Sequence, residues 1–374
     1  HNSAEFTSAL MGNEVIRENV PVREFKLVVK VPSGKTLNHR TLNSRLAPDV
    51  SSSADMTVYT WNFKDVPALL PESHQVTDDA PRVLFTTHED LKRIYFKFVA
   101  QPAFTYPSNE KMDKKVEEVL KECGEDDLKI AMKLQQIVAN DIATYNIPCS
   151  DIGFRARIPV EVWNTNGGTP MEKAILLHTL LMKANIRSTP VAVIPTGFYD
   201  EEHGNLMLFE DYLVQVNPKK FGRCYLSPTS VDGQNRSYVL GGKTMLVLDG
   251  AIESLKTYEE KDTRSIVRFG GTFSYEDDKS LKGEGLVELT NHANPYYSLY
   301  QDSAKIKGVI SGAKVNEFEY RTVNESRAVA ELKVDLTSSL KSQSTYHFCS
   351  IPELRKGFSS WHISYLPEQR QTDF

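Results

Sequence analysis

Two short runs near the start of the chain are rich in β-branched and aromatic residues: Glu24–Pro32 (EFKLVVKVP) and Met56–Phe63 (MTVYTWNF). Runs of this kind predict strands, and the turn signals PSGK and PES bound them. The stretch between them, NHRTLNSRLAPDVSSSAD, is polar and predicts an exposed, irregular connection. Residues 1–104 are therefore predicted to form a β domain.

The pattern changes period near Pro107. Ser108 or Asn109 can cap one helix, Gly124 ends it, and Glu125–Asp127 place acids at the start of a second. Leu128, Ala131, Leu134, Ile137 or Val138, and Ile142 recur at helical spacing and predict one apolar stripe. Strand-like runs follow: STPVAVIP, LMLFEDYLVQVN, RCYLSPTS and TMLVLD. Helices followed by antiparallel-looking strands predict an α+β core over 105–250. Beyond it, SIVRFGGTFSYE, GEGLVELT, VNEFEYRTV, AVAELKVDL and TYHFCSIP alternate between polar turns. They predict a C-terminal β domain over 251–374, a sandwich or an open sheet.

Composition adds limits. The 374 residues suit two or three domains, and 40% hydrophobic content is enough for sizeable cores. The net charge of −5, with no basic run or stripe, argues against a nucleic-acid partner. No apolar run is long enough to span a bilayer, and the opening HNSAEF contains no signal-peptide region. With the unmarked end RQTDF, this reads as a piece of a longer protein. Cys123, Cys149, Cys224 and Cys349 match no zinc or CxxC spacing, so neither metal nor cofactor is expected. They read as structural thiols, with one or two disulfides left open.

One segment has the shape of a catalytic element with no catalyst in it: NTNGGTPMEKAILLHTLLMKANIRSTPVAVIP, Asn164–Pro195. Thr169 is placed as N-cap and Pro170 at the first helical position, where its missing N–H costs nothing. Glu172, three residues after Thr169, completes a capping box. Ala174, Leu177, Leu181 and Ala184, with Ile175 and Leu180 beside them, predict a buried central helix. Its expected partners are strands at Val191–Ile194 and Leu206–Val216.

GGTPMEKAILLHTLLMKANIRSTPVAVIP resembles the transglutaminase-like superfamily, whose core is that of papain-like cysteine peptidases. YTWNFKDVPALLPESH resembles the DUF3857 type of N-terminal β domain, and LKGEGLVELTNHANPYYSLY more weakly a third, β domain. The whole is similar to a bacterial, Bacteroidetes-type arrangement: a transglutaminase-like core flanked by β-sandwich-like domains. The resemblance implies a cysteine at the start of the central helix, activated by the helix dipole, a histidine on a following strand and an orienting aspartate. Pro170, Asp211 and Ser227 stand at those three positions, so the triad reads as lost. The resemblance also implies export, to the periplasm, cell surface or medium.

Trp163, Asn164 and Asn166 flank the glycine turn, and they are candidate cleft residues for a peptide, protein or glycan, weighed against simple packing and turn formation. His178 reads as a packed helix residue, and Cys149 and Cys224 as structural. His203, in YDEEHGN, reads as a solvated turn residue, Tyr296 and Tyr297 as packing residues of the β domain. The expected function is non-catalytic binding or scaffolding. The rival readings are an active cysteine peptidase or transglutaminase, and glycan binding by the β domains.

Overall fold

The computed structural model describes residues 9–16, 18, 20–68, 80–88, 90–195, 204–219, 222–231, 240, 243–250, 256–257, 266–276, 280–290, 293–294, 303–310, 312–324, 326–344 and 346–349. His203, Tyr296 and Tyr297 lie outside the described residues.

The N-terminal strands are β1 (Met11–Val15), β2 (Val22–Pro32), β3 (Asn38–Leu42), β4 (Asp49–Ser52), β5 (Met56–Val66) and β6 (Arg82–Thr86). They form two three-stranded antiparallel sheets, ordered β1-β6-β3 and β2-β5-β4. Val29, Val31, Trp61 and Phe63 of one sheet pack with Val83 and Phe85 of the other. The polar stretch expected to be a loop contains β3 and β4. Both are sheet edges, where polar side chains face water while the backbone still pairs. A second departure is α1 (Leu91–Val99), a helix within the region predicted as β. Its buried Leu91, Ile94, Tyr95 and Phe98 join the core cluster of the following helices.

In that core, α2 (Glu110–Cys123) is capped by Asn109, whose side chain accepts from the Met112 N–H, and it ends at Gly124 with φ 67°. Only a residue without Cβ holds that angle cheaply. α3 (Asp127–Asp141) is capped by Asp126, and every residue of its predicted stripe is buried. A two-residue strand β7 (Ala143–Thr144) and α4 (Pro159–Asn164) follow. β8 (Gly167–Gly168) pairs in parallel with β7 and leads into α5 (Pro170–Lys183). α5 is buried on nearly every side from Met171 to Leu181, more completely than a single stripe predicts.

Five antiparallel strands back this helix: β9 (Ser188–Pro195), β10 (Asp211–Val216), β11 (Cys224–Leu226), β12 (Lys243–Val247) and β13 (Lys256–Thr257), in the order β11-β10-β9-β12-β13. The strand expected from Leu206 begins only at Asp211. Leu206–Leu208 is a 3-10 turn capped by the Asn205 side chain. Tyr212, Val214 and Val216 face the α5 cluster, while Leu213 faces the opposite cluster with Val191, Val193 and Met245.

The C-terminal strands β14 (Val267–Tyr275), β15 (Leu281–Thr290), β16 (Lys314–Val323) and β17 (Arg327–Asp335) form one antiparallel sheet, ordered β14-β15-β17-β16. Ile306, at the end of α6 (Ser303–Lys307), and Ile310 cover one face with Leu336. Of the two architectures expected, the described residues show the open sheet. β18 (Leu340–Gln343) and β19 (Tyr346–Cys349) make a separate hairpin. Among the described residues, no helix is long and apolar enough to cross a membrane.

Candidate functional site

The start of α5 has the architecture its sequence predicts. Thr169 accepts a hydrogen bond from the Glu172 N–H, and Glu172 Oε2 accepts one from the Thr169 N–H at 2.8 Å. The structure adds a partner that the local sequence does not announce. Arg157 donates from Nε and from its backbone N–H to Glu172 Oε1, both at 2.9 Å, and from a terminal nitrogen to Glu172 Oε2, also at 2.9 Å. The same guanidinium reaches the Thr165 hydroxyl and the Gly167 carbonyl. Burial alone would raise the Glu172 carboxyl; the bonds from Arg157 and from the Thr169 and Arg157 backbone outweigh it and hold the group below its usual range. A permanent carboxylate thus covers the positive end of α5, where an active thiolate would need that field for itself.

Lys173 is buried behind this cap. Its ammonium donates to the Ala139 and Ile142 carbonyls and to the Thr144 hydroxyl, at 3.3, 2.6 and 2.8 Å, tying the end of α3 to α5. Burial lowers it to about 8.

The three positions singled out in the sequence lie on or beside three different elements. Pro170 opens α5. Asp211 pairs with Val193, whose side chain lies on the face turned away from α5, and its Oδ1 accepts from the Tyr212 N–H at 2.7 Å. Ser227 is buried just past β11; its carbonyl accepts from Gln135 of α3, and its hydroxyl lies 3.2 Å from that of Thr229. Next to Asp211, Tyr212 turns toward α5. Its buried hydroxyl lies beside the Cys149 thiol and finds no well-directed hydrogen bond. Burial pushes the Cys149 thiol up, against a lowering contact from Tyr212, so it is held as a neutral thiol.

His178 is remote from this point. It is buried within α5, with Nδ1 2.9 Å from the Ser188 hydroxyl and its ring edge-on to Tyr106 at 4.3 Å. Burial depresses it to about 4, so it is neutral at physiological pH.

Beside the α5 cap opens a cleft of about 530 Å³, lined by Pro102, Ile147, Ile152 and Ile158, by Tyr145, and by the charged groups of Arg155, Arg157, Glu161 and Glu172, with Ala156 and Thr169. Among the described residues, no cysteine or histidine lines it. Nor do the three residues expected at its mouth. Trp163 is half-buried against the core cluster. Asn164 accepts a long bond from Asn109, and Asn166 turns the chain at φ 51°. The lining comes instead from 145–158, a segment whose role depends on contacts far along the chain.

A larger hollow of about 700 Å³ lies on the C-terminal sheet, over Gly270, Gly271 and Leu286, among Glu284, Glu317, Glu319, Glu331 and Lys333. Three of its four acids meet one of two bases, Glu317 with Lys333 and both Glu319 and Glu331 with Arg321. Its charged walls thus complete one another, and the cleft beside α5 is the better candidate.

The comparisons with known proteins agree with this geometry at the level of fold. Residues 3–69 match the model of the family described as DUF3857, a domain of unknown function with a solved structure. A crystal structure described as a "putative protease" from Parabacteroides distasonis aligns with a TM-score of 0.53 over 88% of this chain and 69% of that one, at 17% identity. None of the curated proteins compared with the chain matches it. At that identity the likeness is one of fold alone. The chain therefore joins an N-terminal DUF3857-type segment to a mixed, strand-rich fold shared with that structure.

Proposed function

We propose that this protein is a non-catalytic member of the transglutaminase-like superfamily that binds a polypeptide in the cleft beside α5. One observation carries the reading: the helix start where that superfamily's nucleophile would stand holds Pro170, closed by the Thr169–Glu172 box and the Arg157 guanidinium. Proline offers no nucleophile. The carboxylate above it would raise, not lower, the pKa of any thiol brought there. Asp211 stands at the histidine's position and turns away from α5. Its neighbour Tyr212, which faces the helix, is a neutral phenol held well above its usual range and no base at neutral pH. What survives is a concave, largely apolar surface with a few fixed polar groups, the composition of a binding site. Its place of action is proposed to be extracytoplasmic, on the resemblance alone; cell fractionation tests that part.

The experiment is thiol chemistry set beside turnover. The intact protein is treated with iodoacetamide at neutral pH and assayed for hydrolysis of a casein substrate. The expected outcome is slow, unselective labelling and no hydrolysis. Fast labelling of one cysteine, with parallel loss of a measured hydrolysis, would overturn the reading.

A further inference from the structure

Of the cleft's charged groups, Arg155 and Glu161 make no side-chain hydrogen bond or ion pair among the described residues, and Arg155 is the cation of the two. Arg157 is consumed by Glu172, Thr165 and Gly167, whereas the exposed Arg155 guanidinium has no hydrogen-bond or ion-pair partner among the described residues. Yet the backbone that carries Arg155 is fixed on both sides. Gln101 donates to the Phe154 carbonyl and accepts from the Ala156 N–H, each at 2.9 Å, and the next residue is tied to Glu172. The facing aromatic is fixed too. Arg157 lies 5.8 Å from the centroid of the Tyr145 ring, and the Tyr145 hydroxyl packs where Gly167 has no Cβ, so any side chain there would displace it. With the backbone fixed, an anion that pairs with this guanidinium has only the Arg155 side chain to order.

We infer that the cleft takes the carboxyl-terminal end of a polypeptide whose last residue is apolar. This rests on the binding reading above and names its ligand. The terminal carboxylate pairs with Arg155, and the last side chain lies against Ile147, Ile152, Ile158 and Tyr145. The charge argument is direct: Arg155 calls for one carboxylate, while Glu161 on the same lining repels a second, which disfavours polyanions. The apolar lining selects the chain end over an internal Asp or Glu. A chain end carries its carboxylate and its apolar side chain on one carbon. An internal acidic residue brings flanking amides on both sides, for which the side chains of Pro102, Ile147, Ile152 and Ile158 offer no hydrogen-bond partners. The volume falls in the range of small-ligand sites, about 300–1,000 Å³, and suits a few residues rather than a folded partner.

The test uses fluorescence polarisation with the whole chain. The probes are a fluorescein-labelled peptide of sequence Gly-Ser-Gly-Ala-Leu with a free carboxylate, its C-terminal amide, and an amidated peptide with an internal Asp beside Leu. The free acid is expected to bind about tenfold more tightly than either amide. Arg155→Gln should erase that preference without moving the melting temperature, because the guanidinium makes no hydrogen bond or ion pair within the described residues. Ile152→Asp should weaken all three probes. Equal binding of acid and amide, an acid preference that survives Arg155→Gln, or no binding to folded protein would each overturn the inference. Cleavage of any probe would instead sink the non-catalytic reading, so the two failures are distinguishable.

Discussion

The two β regions of this chain are attached to the central helices in opposite ways. The N-terminal sheets are joined by buried, directional bonds. The Thr86 hydroxyl donates to the Gly204 carbonyl, Asn205 donates to the Gly12 and Phe85 carbonyls, and Asn13 donates to the Met207 carbonyl. Gly204 packs so closely on the Asp90 backbone that a Cβ would overlap it. All of these bonds fall on the segment that leads into β10. The C-terminal sheet keeps its own hydrophobic cluster; Val323 belongs to the central core, and Tyr320 packs against both. The difference teaches that β1 and β6 are bonded into the segment before β10, while the last sheet is held mainly by its own cluster and meets the core through the packing of Val323 and Tyr320.

Four experiments would break or sharpen that contrast. The largest effect is expected from Leu332→Ala, which empties a fully packed position of the C-terminal cluster and should cost about 2–5 kcal/mol. In chemical denaturation that loss should appear in a separate C-terminal transition and leave the core transition in place; a shift of both would refute independence. Acid comes next. The folded His178 titrates near 4, below its ordinary 6.5, so the unfolded chain binds the extra proton between those values. Core stability should fall by up to about 3 kcal/mol as pH drops from 6.5 to 4, and be unaffected by His178 above that window.

Asn205→Leu should cost about 1–2 kcal/mol by removing the side-chain bonds that tie the Gly12 and Phe85 carbonyls to this segment, together with the acceptor of the Met207 N–H. Because those carbonyls belong to the β1-β6-β3 sheet, which packs on Trp61, the fluorescence of Trp61 in a Trp163→Phe, Trp361→Phe background and helical circular dichroism should cease to change together. Coincident curves would argue against the weld. The smallest effect is Thr169→Ala, about 1 kcal/mol for a lost cap. It should lower only the core transition, and a rise in proteolysis at 145–158 would show that the cap also holds the cleft wall.

Local signals in the chain were sufficient for some elements and silent on others. Asn109, Gly124 and the acids before Leu128 marked the limits of α2 and α3, because caps act on backbone within a few residues. α1 was missed, since four apolar residues in nine can as readily suggest a strand until the core that buries them is known. β3 and β4 were missed because edge strands are specified by the neighbour they pair with. At the site, Thr169, Pro170 and Glu172 were legible. Arg157, Gln101 and Tyr212 were not: an arginine in a loop looks the same whether it closes a helix or faces solvent.

The order of the residues alone determined the capped start of the central helix and the absence of a thiol at it, because both depend on neighbours within one helical turn. The folded chain decided which β10 side chain faces that helix, that Arg157 seals its end, and that Arg155 is left over. Those outcomes depend on strand register and on contacts between distant segments, and no local pattern encodes either.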